Sequence, residues 1–335
     1  MLTLYKARSV ITMNPSMPRA SAVLVRDGNI LEVGEPERMQ PWLEGQQFRL
    51  DEQFADKVIC PGFIDPHLHP SMAAVLLPME FITAMRWKLP WGDVEPVSDL
   101  PAFDARMHAL HRSKPAGEPL FIWGYHQLWH GDMDKIRIHQ VSDQRPIIVW
   151  HRSFHELYMN DPAMSMAGID PAQIKPGLQI DIDKGRFFEL GLGFAINRLN
   201  PWILAPEKYA QGLGRLKQVV HHGGHTSIGD LATGLFNLDA EAKALTEQLE
   251  GDNVPFRTRL VVHGTRLTQG GRKPEEGPAM AADLLRHNSH RLSFSRHIKL
   301  FSDGAFFSQL AQMQEPGYID GHHGDDRLAV DGVGA

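Results

Sequence analysis

Two histidines separated by one residue, His67 and His69, are the side chains of this sequence that most directly indicate chemistry. They follow an apolar run over 58–64 that has the character of a strand. In an extended segment, side chains two residues apart point to the same side, so both imidazoles reach one common point. Paired neutral imidazoles form half of a site for a borderline divalent cation. The pattern predicts two metal ligands; the alternative is a surface loop that happens to carry two histidines.

Lys299 is the second candidate, because it lies inside a predicted strand over 296–302. Burying an ammonium group is costly, so a lysine within a strand is expected to be paired or modified. In an extended segment Lys299 shares a face with Phe301 and Asp303. From the residues alone, the alternatives are a modified lysine or a lysine that is ion-paired with Asp303.

Bulk composition narrows the class of protein. The chain has 335 residues, 42% of them hydrophobic, and a net charge of −6, which is typical of a globular protein. Its Lys and Arg residues are scattered, no apolar run has the length of a signal peptide or a membrane span, and Cys60 is the single cysteine. We expect a cytoplasmic protein that acts on a small-molecule substrate, with no nucleic-acid or membrane partner. Assembly as a homo-oligomer stays open.

Residues 1–56 are predicted to form the short strands of a small β unit. The strongest signal is a hairpin over 22–33, in which Asp27 and Gly28 separate two apolar runs. An Asp-Gly pair supplies the positive φ angles that a two-residue turn requires.

Residues 71 to about 205 are predicted to form a long α/β insertion rich in Trp and His. Apolar runs over 120–124 and 146–150 predict buried strands, and the apolar spacing over 99–113 predicts a helix. From residue 206 onward, helical and strand patterns alternate, which is typical of parallel βα units.

The strands of these βα units can be counted from the residues at which they end. They end at His67, Asp230, His263 and Asp303. A closed (β/α) barrel has about eight such strands, and only a part of that number is identifiable in this chain.

Several segments together resemble the amidohydrolase superfamily. Residues 61–69 (Pro-Gly-Phe-Ile-Asp-Pro-His-Leu-His) resemble its first-strand metal signature, and 27–34 resemble the glycine-punctuated hairpin that precedes it. Residues 298–304 resemble the Lys-Leu-Phe-x-Asp-Gly strand of the subgroup called amidohydrolase family 3. Residues 145–160 are similar to that subgroup's long insertion. The resemblance covers most of residues 1–320 in the expected order.

The resemblance implies an α/β fold: an incomplete TIM-type (β/α) barrel of the metal-dependent hydrolase kind over 57–335. An insertion at about 71–205 would interrupt this barrel, and 1–56 would be the N-terminal part of a composite β-sandwich. Family members continue with strands that carry two more metal-binding histidines and an aspartate base. None of these is identifiable here, so the chain is expected to be truncated at its C-terminus and its catalytic base is unknown.

The resemblance also implies a function, that of a metal-dependent hydrolase similar to N-substituted formamide deformylases. Such an enzyme cleaves a non-peptide carbon–nitrogen bond of an amide, formamide or cyclic amide with metal-activated water. His67 and His69 would bind the first of one or two zinc ions, and Lys299, as a carbamate, would bridge to a second. His155 would contact substrate, within an insertion that covers the pocket. The alternatives are a catalytically incompetent fragment, a chain completed by a partner, and a superfamily deaminase that uses one metal.

Overall fold

The computed structural model describes residues 1–174, 177–268, 273–300, 306, 311–319 and 321–324. The chain divides into two compact units, Met1–Ile64 and Asp65–Ala335. Within the described residues, no helix combines the length and the apolar character that crossing a membrane requires.

The first unit is built on one four-stranded sheet in the order β3-β2-β1-β4. Its elements are β1 (Leu2–Ile11), β2 (Arg19–Arg26), β3 (Asn29–Gly34), a 3₁₀ turn (Pro36–Met39), α1 (Gln40–Leu43) and β4 (Arg49–Ile59). The predicted hairpin is confirmed: Arg26 pairs with Asn29, and Asp27 and Gly28 adopt φ angles of 50° and 81°. The described residues of this unit contain a single sheet, so the second sheet of the expected sandwich is not present in them.

The next elements along the chain are one strand that precedes the predicted insertion, and then the elements of the insertion itself. They are β5 (Phe63–Leu68), α2 (Pro70–Leu76), β6 (Glu80–Phe81), β7 (Trp87–Leu89), β8 (Gly92–Val94), α3 (Leu100–Ser113), β9 (Leu120–Tyr125), α4 (Gln127–His130), α5 (Lys135–Val141), β10 (Ile147–His151), β11 (Glu156–Met159), α6 (Asp161–Met166), a 3₁₀ turn (Pro171–Gln173), β12 (Ile180–Asp181), β13 (Arg186–Phe188) and α7 (Leu190–Ile203). Strand β5 begins at the boundary between the units.

The insertion forms a six-stranded sheet in the order β12-β13-β11-β10-β9-β6. Strand β9 runs parallel to β6 and β10, whereas β11, β12 and β13 are joined by antiparallel pairings. Every residue of β10 is buried, because helices and loops cover both faces of the sheet. Both predicted buried strands and the predicted helix, which Asp99 caps through the backbone N–H of Ala102, are therefore confirmed.

The remaining elements alternate as predicted. They are α8 (Pro206–His222), β14 (His225–Thr233), α9 (Leu238–Leu249), β15 (Arg257–His263), 3₁₀ turns (Gly264–Thr268 and Pro274–Glu276), α10 (Gly277–Leu284), a 3₁₀ turn (Leu285–His287) and β16 (Leu292–Lys299). Strands β14, β15 and β16 are parallel, and β5 lies beside β14, in the order β16-β15-β14-β5.

The α/β class with parallel sheets is confirmed, but the described residues form no closed barrel. Their four-stranded sheet is open at β5 and at β16. The last predicted strand begins earlier than expected, at Leu292, since buried Leu292 and Phe294 extend its apolar pattern backwards. Phe301 and Asp303 lie outside the described residues, so the predicted Lys299–Asp303 pairing stays a prediction.

Helix α2 begins directly after His69 and packs closely on α8. A Cβ placed on Gly212 of α8 would lie 1.8 Å from the carbonyl oxygen of Ala74 in α2. A Cβ on Gly214, in the same helix, would meet nothing within 4 Å. The two helices can therefore approach this closely only because residue 212 has no side chain.

We expect Gly212→Ala to lower the free energy of unfolding by about 1–3 kcal/mol, because the added methyl group forces α2 and α8 apart. Gly214→Ala is the matched control. It should leave stability unchanged or raise it by up to about 1 kcal/mol, since alanine favours the helix. Urea unfolding of both variants measures the difference, and equal effects would contradict the close contact.

Candidate functional site

The site lies where the strands of the β16-β15-β14-β5 sheet place polar side chains at one edge. His67 is the fifth residue of β5, His69 follows that strand, and Asp230 belongs to β14. His263 and Lys299 end β15 and β16 and are opposite each other in the parallel register. Carboxyl ends of parallel strands meet at one edge of a sheet, and this geometry brings the residues together from distant parts of the chain.

The predicted histidine pair is close in space. The ring centroids of His67 and His69 are 5.2 Å apart and the rings are perpendicular. The Nδ1 atom of His69 lies 3.7 Å from Oδ1 of Asp230, whose side chain is buried. Asp65 is involved differently: its carboxylate accepts a hydrogen bond of 3.1 Å from the backbone N–H of His67.

Electrostatics at this edge favour neutral imidazoles. Desolvation lowers the pKa of His67, and the nearby His69 and Lys299 lower it further. Burial also lowers the pKa of His263 to about 4, with smaller contributions from Arg266 and Lys299. Lys299 thus lies within electrostatic range of histidines on two different strands. A neutral imidazole is the form that binds a metal ion.

One atom at the edge points to a ligand. The Nδ1 atom of His69 is buried and has no hydrogen-bond partner among the residues that the structure describes. A buried ring nitrogen without a partner, beside a second imidazole, fits two of the ligands of a divalent cation. In the described part of the chain, no group of three or more His, Cys, Asp or Glu side chains is arranged to hold a metal. Within the described residues, the ligand geometry is therefore limited to the pair of histidines.

A buried carboxylate that the sequence analysis missed supports this edge. Glu241 of α9 is 2% exposed and accepts hydrogen bonds from the backbone N–H groups of Gly234, Phe236 and Asn237. Its Oε2 atom also accepts a bond of 2.6 Å from the hydroxyl of Ser71, two residues after His69. Burial raises the pKa of Glu241, although these hydrogen bonds act in the opposite direction.

Glu241 joins the loop after β14 to the first turn of α2. Tyr209 of α8 extends the network by donating a bond of 2.7 Å to the Ser71 hydroxyl. A signal for this role was present in the sequence, because Glu241 shares the buried face of α9 with Leu238, Leu245 and Leu249. A carboxylate on an otherwise apolar helical face indicates a buried, hydrogen-bonded group.

His155, the predicted substrate contact, belongs to the other sheet. It precedes β11, and its Nδ1 atom lies 2.8 Å from Oε1 of Glu189. The backbone N–H of Glu189 donates to the carbonyl of His155 at 3.1 Å. The pair is therefore tied together at both side chain and backbone. Nothing in the sequence around Glu189 indicated this partnership.

The neighbouring His151, at the end of β10, is held as a neutral ring. Its Nδ1 atom accepts a hydrogen bond from the backbone N–H of Ser153 at 3.1 Å, and its Nε2 atom lies 3.0 Å from Oε1 of Gln127. Nδ1 therefore carries no proton and Nε2–H donates to Gln127. Burial, reinforced by His126 and Arg152, lowers the pKa of His151 to about 3.

Comparisons with known proteins place this fold beside the metal-dependent hydrolases. No family model matches the chain. Two solved structures are similar: uncharacterized metal-dependent hydrolases from Pyrococcus horikoshii OT3 and Pyrococcus furiosus, with TM-scores of 0.67 and 0.65. Each is 18% identical in sequence and is matched over 94% of this chain. At this identity the likeness shows a shared fold.

One curated relative is the exoenzymes regulatory protein AepA of Pectobacterium carotovorum subsp. carotovorum. It is 23% identical over 342 residues, which cover 94% of this chain and 66% of that protein. The chain spans 58% and 59% of the lengths of the two Pyrococcus hydrolases.

We expect Glu241→Ala to lower the free energy of unfolding by at least about 2 kcal/mol, because it leaves several buried donors without an acceptor. Glu247→Ala on the same helix is the control. The Glu247 side chain is 59% exposed, so its loss should change stability by less than about 0.5 kcal/mol. Urea unfolding measures both, and a Glu241→Ala variant as stable as the control would contradict the network.

His151 predicts a pH dependence of stability. Its folded-state pKa of about 3 lies below the usual 6.5. The unfolded chain therefore binds more protons between these values, and stability falls as the pH drops below the unfolded-state pKa. From about pH 7 to about pH 5, His151 should account for a loss of about 2 kcal/mol, which His151→Gln should remove.

The measurement is urea unfolding at both pH values. The exposed His221 provides the control, since His221→Gln should retain the full wild-type pH dependence. A His151→Gln variant with an unchanged difference between the two pH values would show that His151 is not held neutral.

Proposed function

We propose that this chain belongs to a metal-dependent hydrolase of the amidohydrolase kind, which acts on a non-peptide carbon–nitrogen bond of a small-molecule amide, formamide or cyclic amide. The observation that carries the proposal is the sheet edge at which His67, His69, Asp230, His263 and Lys299 come together. Neutral imidazoles, a buried carboxylate and an amine are suitable groups for binding a divalent cation and a polar substrate. The fold shared with metal-dependent hydrolases supports the same assignment.

His67 and His69 would hold the first cation, which we propose to be zinc. The ring nitrogen of His69 that lacks a partner is a reason to place a cation there. Asp230 lies beside that nitrogen and is held in place by its own bonds to the backbone N–H of Ala232 and the hydroxyl of Thr233. When bound, the cation would lower the pKa of a water molecule and polarise the scissile carbonyl.

Lys299 would take part as a carbamate and bridge to a second cation. The ammonium group would first lose a proton. The neutral amine would then form a carbon–nitrogen bond to carbon dioxide as one C–O π bond opens, and would lose a second proton, which gives an anionic carbamate. Burial lowers the pKa values of His67 and His263, and the positive charge of Lys299 lowers them further. Carbamate formation would remove that positive charge.

On the substrate side, we propose that the insertion supplies His155 as a contact, oriented by Glu189 through the 2.8 Å interaction between them. The His155 side chain is 22% exposed, so a bound molecule can reach it. The main core cluster extends from Leu68, between the two histidine ligands, to Phe154, beside His155. Both regions thus belong to one packed body within the second unit.

Metal content provides the direct test. After incubation with zinc and dialysis, the wild-type chain should retain about one to two zinc ions per molecule by mass spectrometry of the metal. The double variant His67→Ala/His69→Ala should retain none, because both proposed ligands of the first ion are removed.

The matched control is His221→Ala/His222→Ala, which removes two exposed histidines from the end of α8 and should keep the wild-type zinc content. Wild-type protein with no more zinc than the ligand variant would refute the metal site. If zinc is retained, hydrolysis of a panel of amides, formamides and cyclic amides identifies the bond that is cleaved.

Measurements on Lys299 distinguish the proposed two-metal hydrolase from a deaminase that uses one metal. With ¹³C-bicarbonate, the wild-type protein should show a carbamate carbon resonance that Lys299→Ala lacks, and the variant should hold fewer zinc ions. An unchanged zinc content in Lys299→Ala, without a carbamate resonance in the wild type, would favour the single-metal enzyme.

A further inference from the structure

One face of the insertion sheet carries two tryptophans whose ring nitrogens form no hydrogen bond with the described residues. Trp123 of β9 and Trp150 of β10 are opposite each other in the parallel register, so their side chains lie on the same face of the sheet. They are 4% and 2% exposed. Neither Nε1 atom has a hydrogen-bond partner among the residues that the structure describes.

Two such donors side by side are unusual, because buried polar groups are normally satisfied and an unsatisfied N–H is costly. Each indole therefore has an unused capacity to bind an acceptor. Both rings contact the same neighbour, Phe154: its ring is stacked on Trp123 at 5.5 Å between centroids and lies edge-on to Trp150 at 6.0 Å. Phe154 thus packs against both indole rings.

The backbone around Phe154 is strained. In the described residues, five non-glycine residues have positive φ angles. One of them is Glu189 itself, at 47°; Phe154, at 64°, directly precedes His155, and Gln179 has a φ angle of 54°. The side-chain oxygen of Gln179 accepts a bond of 3.1 Å from the backbone N–H of Leu190, directly after Glu189. Strain of this kind is retained where the surrounding structure or a function requires it.

The negative charge of Glu189 disfavours anionic ligands near the two tryptophans. Indole N–H groups are neutral donors, and the buried Glu189 carboxylate lies beside His155. A ligand carboxylate would be repelled by Glu189 and would lose its hydration on burial. An uncharged oxygen, such as a carbonyl, satisfies the indole donors without that cost.

We propose that Trp123, Trp150 and His155 form a substrate subsite for a planar aromatic group that carries an uncharged oxygen acceptor. Phe154 occupies the place of that aromatic group in the free protein. On binding, the ligand ring replaces the Phe154 ring on Trp123, and the ligand oxygen accepts hydrogen bonds from the indoles. Glu189 is a positioning residue that holds the His155 ring through the 2.8 Å contact with its Nδ1 atom. The identification of this ligand as part of the substrate rests on the proposed function; the binding itself does not.

Acetophenone is a suitable probe, with benzoate and ethylbenzene as its charged and oxygen-free counterparts. In ¹H–¹⁵N spectra of the full chain, acetophenone should shift the indole N–H signals of Trp123 and Trp150, assigned through the Trp→Phe variants. Benzoate and ethylbenzene should bind at least about tenfold more weakly. Trp123→Phe and Trp150→Phe should each weaken acetophenone binding by about tenfold, whereas Trp42→Phe, at a position 41% exposed in the first unit, should have no effect.

Phe154→Ala should bind acetophenone more tightly than the wild type, because the ring that competes for the subsite is gone. An artificial cavity would also bind an aromatic ring, but it would accept ethylbenzene equally well. Preference for acetophenone in Phe154→Ala, lost in Phe154→Ala/Trp123→Phe, supports the subsite. Equal binding of acetophenone, benzoate and ethylbenzene, or indole signals that do not move with any probe, would overturn it.

The positioning role of Glu189 has its own readout. ¹⁵N shifts of the His155 ring should report a proton on Nδ1 in the wild type and in Glu189→Gln, which keeps an acceptor oxygen. Glu189→Ala should lose that preference, and an unchanged tautomer would overturn the role. All binding measurements are repeated with His67→Ala/His69→Ala. Acetophenone binding that persists there, when zinc is lost, separates failure of the metal site from failure of the subsite.

Discussion

Parallel strands direct their carboxyl ends to one edge of a sheet, and the candidate site of this protein depends on that constraint. His67, Asp230, His263 and Lys299 are separated by stretches of chain that contain an entire second sheet. Only the parallel pairing of β14, β15 and β16, with β5 alongside, makes them neighbours. Backbone hydrogen bonds between the strands therefore determine which side chains meet at this edge.

Close packing and a buried carboxylate secure the edge. Gly212 lets α8 approach α2, and Glu241 ties the loop after β14 to Ser71 in the first turn of α2. Both contacts fix the segment that immediately follows His69. A buried carboxylate that accepts several hydrogen bonds is rigid, since moving any one partner would leave another unsatisfied. The buried Gly212 and Glu241 thereby hold in place the helix that follows the histidine pair.

The two sheets of the second unit differ in how they carry polar groups. At the edge of the β16-β15-β14-β5 sheet, burial lowers the pKa values of His67 and His263, and the charge of Lys299 lowers them further. In the insertion, His151 is neutral because its hydrogen bonds and its burial both oppose protonation. The aromatic face of the insertion has the opposite character: two indole donors lack acceptors among the described residues, and Phe154, which packs on both indoles, has a positive φ angle. These two features are the basis of the subsite that we propose on this face.

The sequence by itself determined the local features: the Asp27-Gly28 hairpin, the buried strands around Trp123 and Trp150, and the His67–His69 pair. Each of these depends on residues close together in the chain, where turn geometry and side-chain periodicity act directly. A closed barrel did not follow from the same patterns, because the number of strands in a sheet is a property of the whole assembly. Tertiary structure alone decided that Lys299 faces His263, that Glu241 supports Ser71, and that Glu189 holds His155. These partners are far apart in sequence, and their meeting depends on strand register and helix packing, which local residue patterns do not encode.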